Sequence, residues 1–92
     1  MIIYASIGNS DDKLSQHDWH RYAMSFIAAI RQATIHIHGE WASLPVAPFQ
    51  NACMCFEIDA DGAILLKHTL SEIRDEYGQD SIAWAVAETE FI

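Results

Sequence analysis

An α+β domain, with four antiparallel strands and two helices on one face, is what three observations in the sequence predict. Two segments carry apolar residues at helical spacing, four carry β-type runs, and the order is β-α-β-β-α-β within 92 residues. So short a chain forms a single domain, residues 1–92, near the lower size limit for one hydrophobic core. About half of it is hydrophobic, 51%, which supports a core without disulfides or metal.

The first strand is "IIYASI" (Ile2 to Ile7), closed by the turn cluster "GNSDD". Ser15 followed three residues later by Asp18 is a capping-box pattern with Asp in the usual Glu position. Behind it Trp19, Ala23, Phe26, Ile27 and Ile30 set a helix over roughly residues 15–32. "TIHIHGEW" follows as the second strand. "SLPVAPFQ", with two prolines and no periodicity, is a loop longer than a tight hairpin needs. "NACMCFEID" is the third strand and "DADG" a turn.

Leu66, Leu70, Ile73 and Tyr77 mark the apolar face of the second helix. Asp61 is its expected N-cap and Gly78 its left-handed C′ residue. "SIAWAVAETEFI" closes the chain as a strand. This is the ferredoxin-like βαββαβ pattern, with the first and third strands central and the last at an edge.

Strand alternation then assigns faces. Ile35, Ile37, Met54, Phe56 and Ile58 are expected to turn to the helices. His36, His38, Glu40, Cys53, Cys55 and Glu57 are expected to share the open face. Thiols and imidazoles together suit zinc, but structural zinc ligands are spaced on turns, not on alternate residues of flat strands. The "CMC" cysteines lie about 6.5–7 Å apart in a strand, too far for an easy disulfide. They read as free thiols of a reducing compartment. "EIDADG" has the alternating acids of a calcium loop, Glu57, Asp59 and Asp61. Its twelfth position holds His68 where a bidentate Glu belongs. No Gly-rich turn leads into a helix beside the thiols, so no oxyanion device is recognisable. The reading is non-enzymatic, with no cofactor and no metal.

Charge is the distinctive feature. Thirteen acids against five lysines and arginines give a net −8. Residues 1–56 carry four acids and three cations, whereas residues 57–92 carry nine acids and only Lys67 and Arg74. Such a chain repels phosphate backbones, which disfavours direct nucleic-acid binding, and it favours a basic partner surface. "MIIYASIG" has no basic n-region and no apolar run is long enough to cross a bilayer, so a cytoplasmic protein without a membrane partner is expected.

The compact βαββαβ pattern and the acids Glu72, Asp75, Glu76, Asp80, Glu88 and Glu90 resemble the small acidic host-defence inhibitors of phages and mobile elements. The likeness is of type, to those type I anti-CRISPR proteins described as ferredoxin-like mimics of double-stranded DNA. The resemblance implies an inhibitor acting in the host cell, its carboxylates standing in for phosphates in the Lys/Arg-lined channel of an effector complex. Glu57, Asp59 and Asp61 add to that acidic surface, and a monomer is favoured over a dimer. An alternative is a dimeric ligand-binding or assembly module using the open sheet face, with Ala83, Ala85 and Ala87 allowing close approach and His36 and His38 as polar handles. A small hydrolase using those histidines is a third. Trp41, just before the proline loop, is the expected exposed anchor among the three tryptophans.

Overall fold

A computed structural model describes residues 1–92. Strand β1 (Ile2–Gly8) leads through a short 3-10 turn at Ser10–Asp12 into helix α1 (Gln16–Ala33). Strands β2 (His36–Ala42) and β3 (Asn51–Glu57) follow, then helix α2 (Ala60–Glu76) and strand β4 (Ala83–Ala87). The sheet order is β2-β3-β1-β4, with every neighbouring pair antiparallel. This is the expected α+β, ferredoxin-like arrangement, with β1 and β3 central.

Each boundary has a local cause. Ser15 caps α1, its hydroxyl accepting from the Asp18 backbone N–H at 3.2 Å. Alternation in β1 and β3 buries Ile3, Ala5, Ile7, Ala52, Met54 and Phe56 on one side, where they meet Phe26 and Ile30 of α1 and Ala63, Leu66 and Leu70 of α2. Gly78 takes φ +63° after α2, the left-handed conformation a helix C-terminus asks of glycine.

Three expectations need correction. The cap of α2 is Asp59, whose carboxylate accepts from Gly62 N–H at 2.7 Å, while Asp61 lies in the first turn. Ile58 is 1% exposed and ends the buried series of β3, so the chain turns into the helix at the next residue, before Asp61 can serve as cap. The last strand stops at Ala87, and Glu88 and Glu90 lie past it instead of alternating along it. The only neighbour of β4 is β1, whose Ile2 already pairs with Ala87, so no ladder partner remains for the following residues. Ile35 is 71% exposed and not turned to the core, because α1 has ended at Ala33 and β2 begins only at His36.

Tyr22, which the helical spacing did not single out, is fully buried. Its ring packs on Tyr77 with centroids 5.1 Å apart and edge-on to Trp19 at 6.1 Å. Its hydroxyl has no hydrogen-bond partner, and burial pushes its pKa up to about 12. Below pH 10 both folded and unfolded chains keep this proton. Between the ordinary pKa of 10 and about 12 the unfolded chain loses it first, so stability falls with rising pH. The slope approaches about 1.4 kcal/mol per pH unit. Tyr22→Phe is expected to abolish that decline and to raise neutral-pH stability by about 1 kcal/mol, since an orphaned buried hydroxyl disappears. Urea denaturation at pH 7 and pH 11 measures both; a variant as alkali-sensitive as the parent would refute the assignment.

Candidate functional site

The nine carboxylates of residues 57–92 separate into two groups. Glu57, Asp59, Asp61, Glu88 and Glu90 lie at the end of the sheet where β3 and β4 finish and β1 begins, since Ile2 pairs with both Glu57 and Ala87. Glu72, Asp75, Glu76 and Asp80 lie toward the other end, beside the C-terminus of α2. The 17 residues of that helix place roughly 25 Å between its ends at about 1.5 Å per residue. Several acids also have a lysine, arginine or imidazole neighbour. Asp80 is 3.7 Å from Lys13, Asp75 accepts from Arg74 Nε at 2.9 Å, and Glu72 meets His68 at 2.8 Å. Asp59 is occupied as a helix cap. The chain therefore carries two acidic ends in place of the single patch its sequence suggests.

A second surface is nearly free of charge. By register the open face of the sheet comprises Ala83, Ala85 and Ala87 of β4, Ile2, Tyr4 and Ser6 of β1, Cys53, Cys55 and Glu57 of β3, and His36, Gly39 and Trp41 of β2. Glu57 is the one carboxylate among them, and it is 2.9 Å from His38 Nε2. The His36 and His38 rings stand edge-to-face, centroids 4.6 Å apart.

Trp41 reaches this face because β2 bulges. The pairing steps from Ile37↔Phe56 to Gly39↔Cys55, leaving His38 as the extra residue. Beyond it the alternation reverses. Glu40, expected on the open face, pairs in register with the buried Met54 and forms an ion pair with Arg31 of α1. Trp41 takes the open side opposite Cys53. Tyr4, Gly39, Glu40, Trp41, Cys53 and Cys55 line a shallow hollow there. Hydrogen bonding to Cys55, reinforced by its charge when ionised, raises the pKa of the Tyr4 phenol.

The uncharged surface continues into the β2–β3 connection. No charged residue occurs from Trp41 to Phe56. Within this run Trp41 is 58% exposed, Leu44 73%, Val46 88% and Phe49 80%. These side chains stand on a fixed support. Ala47 N–H donates to Leu44 O at 2.9 Å, closing a turn with Pro45 at its second position, and Ser43 bonds Asn51 in both directions at 2.9 and 3.0 Å. The loop's base is anchored by buried amides that the sequence reading passed over. Asn9 N–H donates to Gln50 O at 3.0 Å, while the Asn9 side chain holds both backbone groups of Leu14 at 2.9 and 3.0 Å. Gln50 and Gln16 exchange hydrogen bonds at 2.7 and 3.1 Å, and Gln79 accepts from Ser10 N–H at 2.9 Å. Polar residues in "GNSDD" and beside prolines look like ordinary loop composition. Only their mutual burial, at 6–8% exposure, distinguishes them.

No group of three or more His, Cys, Asp or Glu side chains is arranged to hold a metal ion. Both cysteines are free, and neither thiol is hydrogen-bonded to a histidine. No helix is long and apolar enough to cross a membrane. The chain matches no protein-family model, no curated protein and no solved structure.

Proposed function

We propose that this chain is a non-enzymatic interaction domain that docks its open sheet face and β2–β3 loop onto a basic protein. The observation that carries the reading is the segregation of charge. Trp41, Leu44, Val46 and Phe49 stand exposed in a sixteen-residue run without a charge, while the chain as a whole has net charge −8. Exposed apolar side chains gathered on a charge-free segment of a strongly acidic chain have the composition of a protein-binding surface. The sign of the net charge selects a partner whose contact groove is flanked by lysine and arginine.

Such grooves belong to nucleic-acid-binding proteins, and the finer reading follows from that. The domain acts as an inhibitor of a nucleic-acid-binding effector of the type I CRISPR kind, seated so that its acidic ends cover the cationic channel. Its carboxylates there compete with phosphates through charge-assisted contacts to arginine.

The acids attract the partner over distance, and the apolar surface holds it. The triple charge reversal Glu72→Lys, Asp75→Lys and Glu76→Lys therefore leaves the fold intact, since all three side chains are exposed. It slows association with an immobilised type I effector complex by at least tenfold at low salt. Stopped-flow or surface-resonance kinetics across a salt series reads this; an unchanged rate would remove the electrostatic half of the proposal. Light scattering on the isolated chain tests the other half. A stable symmetric dimer through the open face would replace the basic partner with a second copy.

A further inference from the structure

The two cations of the acidic half lie in one place. Lys67 and Arg74 are the only lysine and arginine among residues 57–92. Both line a cavity of about 200 Å³ between α2 and β4, completed by Leu70, Ser71, Ile82 and Trp84. Lys67, Ser71 and Arg74 follow one another at intervals of four and three residues, so they share a helix face. Glu72 and Glu76 point elsewhere around the helix, and Glu72 is engaged with His68.

Lys67 has no carboxylate partner, whereas Arg74 is ion-paired with Asp75 through one of its three nitrogens. No carboxylate approaches Lys67 within ion-pair distance; its ammonium lies 5.2 Å from the centroid of the Trp84 ring. Arg74 gives Nε to Asp75 at 2.9 Å and makes no other side-chain hydrogen bond, which leaves its terminal nitrogens with free donors. Leu70 and Ile82 supply apolar walls, and the Trp84 ring is itself fixed from behind by Phe56, edge-on at 5.9 Å. The Ser71 hydroxyl donates to the Lys67 carbonyl at 2.8 Å, so the groups left for a ligand are the two cations and the indole, which suit a negatively charged head on a flat apolar body.

We infer that this cleft binds a small aromatic or otherwise flat organic anion, a carboxylate or a phosphate ester. The oxyanion accepts from the terminal nitrogens of Arg74 and from Lys67, and the apolar body lies along Trp84, Leu70 and Ile82. At about 200 Å³ the space is below the roughly 300–1,000 Å³ of drug-sized sites, which limits the ligand to one small ring or its equivalent. This site is separate from the docking surface above. Trp84 pairs in register with the buried Ala5 on the helix side of the sheet, whereas Trp41 is on the open side.

Backbone and indole NMR of the labelled chain, titrated with benzoate, phenyl phosphate, inorganic phosphate and benzyl alcohol, tests the assignment. Benzoate or phenyl phosphate is expected to shift the Trp84 indole and the amides of Lys67 to Trp84 saturably, with the stronger of the two identifying the head group. Benzyl alcohol, which lacks the charge, and inorganic phosphate, which lacks the ring, are expected to bind at least tenfold more weakly. Arg74→Gln is expected to weaken the organic anion at least tenfold, and Lys67→Gln, on an exposed residue, provides a second variant should the first disturb the fold. No saturable shift with either organic anion overturns the inference. So does unaltered affinity in the folded variants, or equal binding of the neutral alcohol. Effector binding is a different readout, so failure here leaves the docking proposal standing.

Discussion

Phe56→Ala is expected to lower stability by about 3–5 kcal/mol, the range for truncating a large buried aromatic. Phe56 is fully buried in β3, paired in register with Ile3 on one side and Ile37 on the other, and its ring meets Trp84 edge-on. Alanine there removes contacts to three strands at once and leaves a void that well-formed neighbours cannot collapse into. Only 16 of 92 residues are buried, so few other side chains can compensate. A domain with about 5–15 kcal/mol of total stability loses a large share of it. Urea denaturation should show a lower midpoint with an unchanged slope. Val86→Ala is the matching control, because Val86 sits on the same side of the edge strand yet is 60% exposed. Its expected change is within about 0.5 kcal/mol, as for surface sites lacking special features. A loss below about 1.5 kcal/mol for Phe56→Ala would show that the core repacks, and the central role given to this ring would fall.

The same core shows why the fold was legible. Ile3, Ala5 and Ile7 alternate in β1, Ala52, Met54 and Phe56 alternate in β3, and Phe26 with Ile30 or Leu66 with Leu70 recur at helical spacing. Those periods report burial directly, because a side chain on the wrong face leaves the core. Edges escape such reasoning. The extent of β4 depends on where β1 begins, and the exposure of Ile35 depends on where α1 ends. Neither is encoded next to the residue concerned. The bulge at His38 escapes it for another reason: alternation assumes an unbroken ladder, and one extra residue inverts every assignment after it. Alternation alone therefore puts Glu40 on the open face, whereas the bulge sends it to the helix side and brings Trp41 to the open side. The helix bounds already set residue 59 apart from residue 76. A count along the chain does not tell which end of the sheet Asp80 and Glu88 join, because that depends on how β4 pairs with β1.

Trp41→Ala and Phe49→Ala are each expected to weaken binding to a basic effector groove about thirtyfold or more, the factor that corresponds to a hot-spot loss of about 2 kcal/mol. Both side chains are more than half exposed, so folding should persist with unchanged circular dichroism and urea midpoint. The loss should enter through the dissociation rate, because apolar anchors act once the partners have met. The carboxylate reversals act on the association rate instead, because their field operates before contact. The two groups of variants thus predict different kinetic signatures on one complex, and salt should suppress the second effect while sparing the first. Suppose Trp41→Ala and Phe49→Ala dissociate as slowly as the parent while the reversals abolish binding altogether. The carboxylates would then hold the complex by themselves, and the domain would be a duplex imitator in which the apolar loop has no part. Suppose instead that the aromatic variants fail and salt has no effect. The partner would then be an apolar surface without a cationic rim, and a nucleic-acid-binding target would be the wrong class.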